Sequence, residues 1–568
     1  MDNSRVILAV GICLVLIFAY QELVLNRFFP TTPEPPERRA ATEMVKPTNV
    51  PVPAVSVVAA AASAPAAAAS SAAPAAAEVV AASSTPLVAA ASAPPARTIE
   101  IDTDLYRAIF TTKGAQLTSF ELKHYRQTAA ANSPLYQMVT GPAGKRLPLA
   151  VVLMRGGKLY DDDELAYSTA AGNRIEVKNG APTAAFTARA ADGTTITKTL
   201  TFKAGSYLFG LKVAVSGGPA DEEIGLAMSE PLKAHAGYYD IPQLQADVAG
   251  KVLVEAEKYL RKGVKPAGGP ITYAGFGDRY FLSVFLPEKP AEGTLTMGYA
   301  GNQGIARLLF PGATQIETRV FAGPKLLDAL DAAGPELHRA IDLGWTSILA
   351  LLFLRALKLL HLVAPNYGWD IILVTVLVRL ASLPMSIKGQ RSAMKMAQLT
   401  PQIERLREKY KDNNEQLQKE MVDLYKRNHV NPLGGCLPMV IQLPIFIGLY
   451  EALLNSVELR HAPFIAWMND LSAPECLPIS WMPKLPYLPC TGLPVLVILM
   501  GATSFLQQWM MPKQPDPTQQ RMMMFMPLMY VFFFLNFPAG LSLYYFASNI
   551  LGIIQQFFLN REFQTIPA

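Results

Sequence analysis

The amino-acid sequence predicts a polytopic α-helical membrane protein that carries a β-sandwich domain outside the lipid. The chain has 568 residues, of which 51% are hydrophobic and only 17% are charged; typical soluble domains carry about 25% charged residues. Seven apolar segments approach the ~20 residues that a bilayer-spanning helix needs. Between the first and second of them lies a long stretch with the alternation and the β-branched enrichment of strands. Six transmembrane helices and one β-sandwich domain follow from these observations.

The N-terminal residues 1–27 are predicted to form a transmembrane anchor. The run "VILAVGICLVLIFAY" follows Arg5. A cleaved signal peptide is the alternative, because this apolar core is short. However, no A-x-A site follows directly, and Ile12 precedes Cys13 where a lipoprotein would have a small residue. Residues 28–98 are rich in Ala, Pro and Ser, which predicts a disordered linker.

Residues 99–342 are predicted to fold as a β-sandwich with a helical connector at its C-terminal end. Strand-like runs such as "TITKTLTF", "YLFGLKVAVSG" and "TQIETRVFAG" are separated by Gly and Pro. The segment "KLLDALDAAGPELHRAI" at the end of the domain has helical spacing.

The distribution of Lys and Arg predicts the topology, because basic loops remain in the cytoplasm. The loop over 458–490 has only Arg460 and Lys484 and is assigned to the periplasm. Residues 388–431 are assigned to the cytoplasm, with ten basic side chains: Lys388, Arg391, Lys395, Arg405, Arg407, Lys409, Lys411, Lys419, Lys426 and Arg427. With a cytoplasmic N-terminus, the large domain is periplasmic, and only one of the two apolar segments between that domain and Lys388 crosses the membrane.

The segment over 343–366 is the one predicted not to cross. It places Arg355, Lys358 and His361 on one stripe of an otherwise apolar helix, as in helices that lie in the membrane interface. The alternative is that this segment crosses and the spans are counted differently. The remaining divisions are a transmembrane helix over 367–387, a cytoplasmic helical hairpin over 388–431 and transmembrane helices 3 to 6 over 432–562, with both termini in the cytoplasm.

The hairpin is predicted to contain two short amphipathic helices. Thr400 is the expected N-cap of the first helix, with Pro401 at its first position. Ile403 lies on the apolar stripe of the first helix, and Met421 lies on that of the second. These stripes contact each other, the lipid surface or a bound polypeptide; a simple solvated connector is the alternative. The run "RMMMFMPLM" suits variable apolar contacts or membrane core filling.

Arg379 is the most informative residue of the membrane part. It lies nine residues before Lys388, or about 13 Å from the inner boundary, where a guanidinium costs ~2.5–3.5 kcal/mol. Two polar stripes accompany it, one with Thr375, Ser382 and Ser386 and one on the last span with Ser542, Tyr545, Asn549 and Gln556. If the stripes face each other, they line a hydrated cavity within the membrane. The alternative is that Arg379 caps carbonyl groups or fixes a helix contact.

Several kinds of chemistry have no signature in the sequence. There is no nucleotide-binding P-loop, no G-x-S-x-G and no H-E-x-x-H motif, and no Cys or His pair has metal-binding spacing. We therefore predict no enzyme activity, no cofactor and no metal site. The net charge of +5 does not imply a specific nucleic-acid partner. A solute transporter or channel, and a periplasmic sugar-binding module on an anchor, remain as alternatives.

Several segments resemble the YidC/Oxa/Alb family of membrane protein insertases: "VNPLGGCLPMVIQLPIFIGLYEAL", "SVELRHAPF", "FPAGLSLYY" and "SNILGIIQQ". "GFGDRYF" and "FAGPKL" resemble the Gram-negative members, which have a large periplasmic domain. The resemblance implies a five-helix core with a groove open to cytoplasm and lipid, and a β-supersandwich without catalysis.

The resemblance also implies functional residues and partners. The essential groove arginine of the family corresponds to Arg379, and residues that contact inserted proteins correspond to Thr375 and Tyr545. Ser382 and Asn549, from the same polar stripes, complete the predicted substrate-binding set. The implied partners are nascent membrane proteins, the Sec translocon, the ribosome and the lipid bilayer of the inner membrane.

The periplasmic loop contains a predicted disulfide between Cys476 and Cys490. They lie in an oxidising compartment and enclose 13 residues, "LPISWMPKLPYLP". Two reduced thiols are the alternative, because the sequence does not show whether the Cα atoms lie within bridging distance.

Overall fold

The fold is described from a computed structural model. The described residues are 84–564 without the segments 90–94, 131, 141–145, 220–221, 232–240, 257–259, 262–265, 301–302, 335, 412, 431–436, 480–491 and 513–516. The predicted anchor, most of the predicted linker, and Cys490 lie outside the described residues.

The β-domain contains two sheets. The strands are β1 Thr85–Pro86, β2 Thr98–Asp102, β3 Tyr106–Thr111, β4 Gln116–Arg126, β5 Leu135–Thr140, β6 Ala150–Arg155, β7 Lys158–Asp161, β8 Arg174–Glu176, β9 Thr183–Arg189, β10 Thr195–Thr201, β11 Leu208–Ser216, β12 Glu223–Pro231, β13 Gln243–Val248, β14 Lys251–Glu255, β15 Ala267–Gly277, β16 Phe281–Pro287, β17 Ala291–Ala300, β18 Gln303–Phe310 and β19 Gln315–Pro324. The larger sheet has the strand order β1-β7-β6-β12-β18-β17-β15-β16-β19-β11-β10-β9, and β13 and β14 extend it beside β15. The smaller sheet has the order β5-β4-β3-β2-β8.

The described end of the predicted linker contributes one short strand to this domain. Thr85 and Pro86 form β1, which pairs in parallel with β7, and Leu87 is buried in the core. The composition of the sequence does not indicate this strand, because the Ala- and Ser-rich sequence continues beyond it. A two-residue strand is held by its partner and by one buried side chain, not by its own propensity.

A buried ion pair ties the two sheets together. Lys198, in the alternating strand β10, is 1% exposed, and its Nζ lies 2.7 Å from Oδ2 of the fully buried Asp162. The ammonium also donates to the carbonyls of Gly114 at 2.6 Å and Leu149 at 2.9 Å. Tyr167 donates to Asp162 at 2.6 Å. Burial raises the pKa of Asp162 and lowers that of Lys198, and their mutual attraction opposes both shifts.

A second buried lysine, Lys325, fixes the connector that leaves the domain. Its Nζ donates to the carbonyl of Asp278 at 2.7 Å, to the side chain of Gln245 at 3.0 Å and to the carbonyl of Ala340 at 3.1 Å. Asp278 belongs to the turn between β15 and β16, Gln245 to strand β13 and Ala340 to the connector. Burial lowers the pKa of Lys325 to about 8.

Lys325 makes the stability of this domain depend on pH. The unfolded chain keeps the lysine proton up to about pH 10.4, whereas the folded chain releases it near pH 8. Because the unfolded state binds more protons between these values, the contribution of Lys325 to the free energy of unfolding rises with pH across this window. Lys325→Met abolishes that rise, which amounts to about 3 kcal/mol at most. Thermal unfolding at pH 7.5 and 9.5 measures it, with the exposed Lys212→Met as control; parallel pH profiles of wild type and Lys325→Met would contradict the assignment.

Nine α-helices follow the last strand in the described residues. A short α1, Leu327–Ala333, and two 3₁₀ turns, Leu337–Ala340 and Gly344–Thr346, form the connector. The other helices are α2 Ser347–His361, α3 Tyr367–Gln398, α4 Thr400–Lys409, α5 Asn414–Arg427, α6 Leu437–Asn455, α7 Val495–Met510, α8 Pro517–Phe534 and α9 Ala539–Gln564. Helix α3 therefore continues beyond residue 387, where its transmembrane part was predicted to end, and it contains Pro384.

Within the described residues, two helical segments are long and apolar enough to cross a membrane. They are Gly344–His361 and Tyr367–Gln398, and the apolar helix Val495–Met510 is shorter. The first is the segment predicted to lie in the interface, so length and composition do not distinguish the two assignments.

The hairpin helices pack against each other. Leu399, Ile403 and Val430 form a small buried cluster, with Met421 and Leu424 of α5 at its edge. Of the contacts considered from the sequence, mutual packing is thus the one observed. The predicted N-cap is wrong by one residue: α4 begins at Thr400 after Leu399, with no capping side-chain hydrogen bond.

The loop after α6 is attached to the β-domain through Arg460. Its guanidinium donates to the carbonyls of Arg126 at 2.7 Å and Gln127 at 3.1 Å. It also lies 5.0 Å from the ring centroid of Tyr136 and 5.3 Å from that of Phe281. Farther along this loop, Leu477 and Leu493 exchange backbone hydrogen bonds of 2.9 and 3.0 Å. The adjacent Cys476 is disulfide-bonded; its predicted pairing with Cys490 stays a prediction.

Candidate groove between two membrane helices

Arg379 lies where α3 and α9 meet. Its Nε donates to Oγ of Ser548 at 2.9 Å, and its Nη2 donates to the carbonyl oxygen of Ser548 at 2.7 Å. Gly552, one turn further along α9, has no side chain, and a Cβ atom there would lie 3.3 Å from Nη2 of Arg379. The absence of that side chain lets the guanidinium lie against the backbone of α9.

Two further polar contacts join the same helices toward their C-terminal ends. Gln555 donates from Nε2 to Oγ of Ser386 at 2.9 Å and to Oε1 of Gln390 at 3.0 Å. Nη2 of Arg391 lies 2.7 and 3.1 Å from the two carboxylate oxygens of Glu562. Ser548, Gln555 and Glu562 recur at i, i+7 and i+14, so they share one face of α9.

A cavity of about 410 Å³ runs beside these contacts. Its lining is mostly apolar, with charged side chains near the two ends: Val376, Arg379, Leu380, Leu383, Ile387, Arg391, Leu551, Ile554, Gln555, Phe558, Leu559 and Glu562. Leu380, Ile554 and Phe558 are exposed on its rim. We call this feature the groove.

Of the five predicted substrate-binding residues, Arg379 lines the groove and the other four do not. Thr375 is fully buried, and its hydroxyl donates to the carbonyl of Ile371 at 2.7 Å. Ser382 donates to the carbonyl of Arg379 at 3.2 Å. Both hydroxyl groups satisfy the helix backbone, which is the ordinary behaviour of Ser and Thr within helices.

Tyr545 and Asn549 face other helices. The ring of Tyr545 packs on Phe534 at 5.1 Å, Phe446 at 5.8 Å and Tyr530 at 5.9 Å between ring centroids. Asn549 is buried and donates to Oγ of Ser504 in α7 at 2.7 Å. It therefore joins α7 to α9.

Of the predicted stripe on α3, Arg379 and Ser386 contact α9, but they meet Ser548 and Gln555 rather than the predicted stripe of α9. The stripe of α9 that meets α3 contains Ser548, Gln555 and Glu562, one position away from the predicted Asn549 and Gln556. Ser548 could have been identified from the sequence as a contact of α3, because it is polar and lies four residues before Gly552 in an apolar helix. The polar pattern did not show which face of α9 meets α3, because several faces of this helix carry polar side chains.

The groove does not have the composition of a metal site. Among the described residues, no group of three or more His, Cys, Asp or Glu side chains is arranged to bind a metal ion. What it offers is an apolar channel with guanidinium groups near both ends. Such a channel accommodates an apolar helix whose flanking residue is polar or acidic.

The fold and the groove together define a class of protein: an apolar helical core with an arginine-containing groove, joined to a β-domain. The model of the 60Kd inner membrane protein family matches residues 359–566, and that of the YidC periplasmic domain matches residues 98–355. The chain is 35% identical over 494 residues to a membrane protein insertase YidC of Syntrophus aciditrophicus, covering 82% of this chain and 85% of that protein. It is 34% identical over 495 residues to one of Geobacter sulfurreducens, covering 82% and 87%.

A crystal structure of an active YidC insertase with its first transmembrane domain resolved is also similar. It is 18% identical, covering 85% of this chain and 95% of that one, with a TM-score of 0.35. The assignment rests on the sequence relatives: the chain belongs to the YidC family of membrane protein insertases. It is an inner-membrane insertase with a periplasmic β-domain, and it is not an enzyme.

Proposed function

We propose that the insertase uses the groove between α3 and α9 to carry the polar flank of a client helix through part of the membrane. The observation that carries this proposal is the position of Arg379 in a mostly apolar groove, with its nearest hydrogen-bond acceptors supplied by Ser548. Neither acceptor is a carboxylate, so the positive charge is available to an acidic or polar client flank. Thr375, Ser382, Tyr545 and Asn549 then support the groove helices.

The exposed rim of the groove supports a lateral path into lipid. Leu380, Ile554 and Phe558 present apolar surface beside the cavity. A client helix that leaves the groove over this rim gains ~0.3–0.6 kcal/mol for each Leu or Ile that enters lipid. The membrane potential adds ~2.3 kcal/mol per 100 mV for each acidic residue moved outward. Together these contributions drive insertion without a nucleotide.

The basic hairpin of α4 and α5 is the proposed site of first contact with the client. Its helices bury Ile403 between them but leave α5 without a single fully buried residue, and Val422 is 49% exposed. A partly apolar surface with a basic border suits a nascent chain and the phosphates of a ribosome. The ribosome and the Sec translocon are proposed partners on the family likeness.

Contacts at the helix ends support five membrane spans in the described core, namely α3, α6, α7, α8 and α9. The start of α9 bonds to the outer loop through Gly540, whose N–H donates to the carbonyl of Leu471 at 2.9 Å. The start of α7 meets the same loop through Leu496 and Glu475 at 3.0 Å. Arg460 attaches this loop to the β-domain. The opposite end of α3 continues into the basic hairpin, and with the N-terminal anchor the proposed topology has six spans and both termini in the cytoplasm.

The contacts of α2 support its proposed position in the outer interface. Before it begins, the carbonyl of Asp342 accepts a hydrogen bond of 3.1 Å from Asn455, at the outer end of α6. Near its end, Lys358 pairs with Asp328 in α1, and His361 lies 2.7 Å from Asp370, at the start of α3. Both ends of α2 thus meet elements on the β-domain side.

Cysteine labelling tests this position. A cysteine at the exposed Ile348 and one at the exposed Leu359 should both react with a membrane-impermeant thiol reagent added from the periplasmic side, because an interfacial helix keeps both ends on one side of the membrane. A cysteine at Val422 in the hairpin should react only after the membrane is permeabilised. Protection of Leu359→Cys until permeabilisation would mean that α2 crosses.

Site-specific crosslinking tests the groove itself. A photoreactive residue at Ile554, which lines the groove, should capture a stalled nascent membrane protein. The matched control is Phe505, which is 49% exposed on α7 and lies outside the groove lining. Equal capture at the two positions would contradict the groove as the path.

A further inference from the structure

The second arginine of the groove, Arg391, has a carboxylate partner, whereas Arg379 has none within the part of the chain that the structure describes. Arg391 lies twelve residues after Arg379 in α3, about 18 Å further along the helix. Its Nη2 contacts both oxygens of Glu562 at 2.7 and 3.1 Å, and both side chains line the groove. The two guanidinium groups are therefore separated by an apolar wall that includes Leu383 and Ile387.

The ion pair between Arg391 and Glu562 can open with little loss of stability. The two side chains are 48% and 46% exposed, and ion pairs at this exposure contribute little to stability because water screens them. The interior of the groove is held together without this pair, by Gln555 with Ser386 and by Arg379 with Ser548. Opening the pair thus leaves the seam between α3 and α9 intact.

We infer that Glu562 holds the place of a client carboxylate on Arg391, and that an acidic client flank displaces it when the client enters the groove. This deepens the proposed groove mechanism and rests on it. Arg391 first binds the acidic residue at the C-terminal end of α3. The residue then passes along the apolar wall to Arg379, whose nearest acceptors are neutral and do not compete as a carboxylate does.

The inference predicts opposite effects for the two members of one ion pair. Glu562→Gln removes the competitor and leaves Arg391 free for the client, so insertion of a client with an acidic flank should rise about two- to fivefold. Arg391→Gln removes the receiving group and should lower insertion of the same client by a similar factor. A client whose flanking Asp is replaced by Asn should respond to neither substitution.

The experiment uses the full chain, purified and reconstituted in vesicles at limiting client concentration. Initial insertion rates are compared for the acidic client and its Asn counterpart with wild type, Glu562→Gln, Arg391→Gln and the charge-swapped Arg391→Glu/Glu562→Arg. Glu317→Gln and Lys212→Gln serve as matched controls, because they disrupt an exposed ion pair of the β-domain. Arg379→Ala is included to report on the groove mechanism itself.

The outcomes distinguish displacement of Glu562 by a client carboxylate from an ion pair that only holds α3 and α9 together. A gain with Glu562→Gln, a loss with Arg391→Gln and no rescue by the swap, all confined to the acidic client, support displacement. Equal losses with both single variants for both clients, rescued by the swap, overturn it. If Arg379→Ala lowers insertion but Glu562→Gln leaves the acidic client unchanged, the inference fails and the groove mechanism survives. If Arg379→Ala has no effect, both fail.

Discussion

Replacing Arg379 with Ala should lower client insertion by about tenfold or more. Among the described lining residues, the guanidinium is the only cation at the end of the groove that lies deeper in the membrane, and hydrogen bonds to charged groups contribute about 1.5–3 kcal/mol. The protein itself should remain folded in the membrane, because the hydrogen bonds of the Arg379 side chain within the described residues go to a single residue, Ser548. Insertion of a radiolabelled client by the variant measures the effect.

Two further substitutions separate charge from hydrogen bonding. Arg379→Lys keeps the positive charge but not the planar, two-point contact, so it should retain much of the activity. Arg379→Gln keeps a donor without charge and should resemble Arg379→Ala. If Arg379→Ala matches wild type for every client tried, Arg379 only fixes a helix contact and the groove has no role in transfer.

Lys198→Met should produce the largest loss of stability in the β-domain. It leaves the Asp162 carboxylate fully buried without its cation, and breaking a buried ion pair in this way costs about 3–5 kcal/mol. For a domain of this size, each kcal/mol lowers the melting temperature by about 2–4 °C. Thermal unfolding of the full-length protein in detergent, followed by circular dichroism, should show the shift.

The matched controls for Lys198 are available in the same sheet. Lys212→Met removes an exposed lysine from the neighbouring strand and should change stability by less than about 0.5 kcal/mol. The double variant Asp162→Leu/Lys198→Met removes both charges and should recover most of the loss, since an apolar pair avoids the desolvation penalty. A Lys198→Met protein that melts with wild type would show that Asp162 is neutral in the fold.

The β-rich domain and the apolar helices that follow it were predictable because they depend on patterns that repeat along the chain. Alternation in β10 and β19, the apolar length of α3 and the helical stripes of the hairpin each recur over several residues. Two local details were not predictable. The strand at Thr85–Pro86 depends on its pairing with β7, and the start of α4 at Thr400 depends on the preceding helix end rather than on a capping hydroxyl.

The sequence singled out Arg379 but not the residues of α9 that contact it. Arg379 was conspicuous because a charge in a long apolar run needs an explanation. Ser548 and Glu562 were not singled out, because an amphipathic reading of α9 cannot tell which polar face meets α3 and which meets α7. That choice is fixed by close packing, including the glycine at position 552, where the backbone of α9 meets both Arg379 and Gln507.

The most direct test of the central claim is insertion by the purified protein alone. The full chain is reconstituted in liposomes with an imposed membrane potential, and a short newly synthesised membrane protein with an acidic flank is supplied from the hairpin side. We expect wild type to make the client's translocated flank resistant to protease, and Arg379→Ala to leave it digestible at equal protein content. Equal protection by wild type and Arg379→Ala, or solute flux without client insertion, would contradict the account.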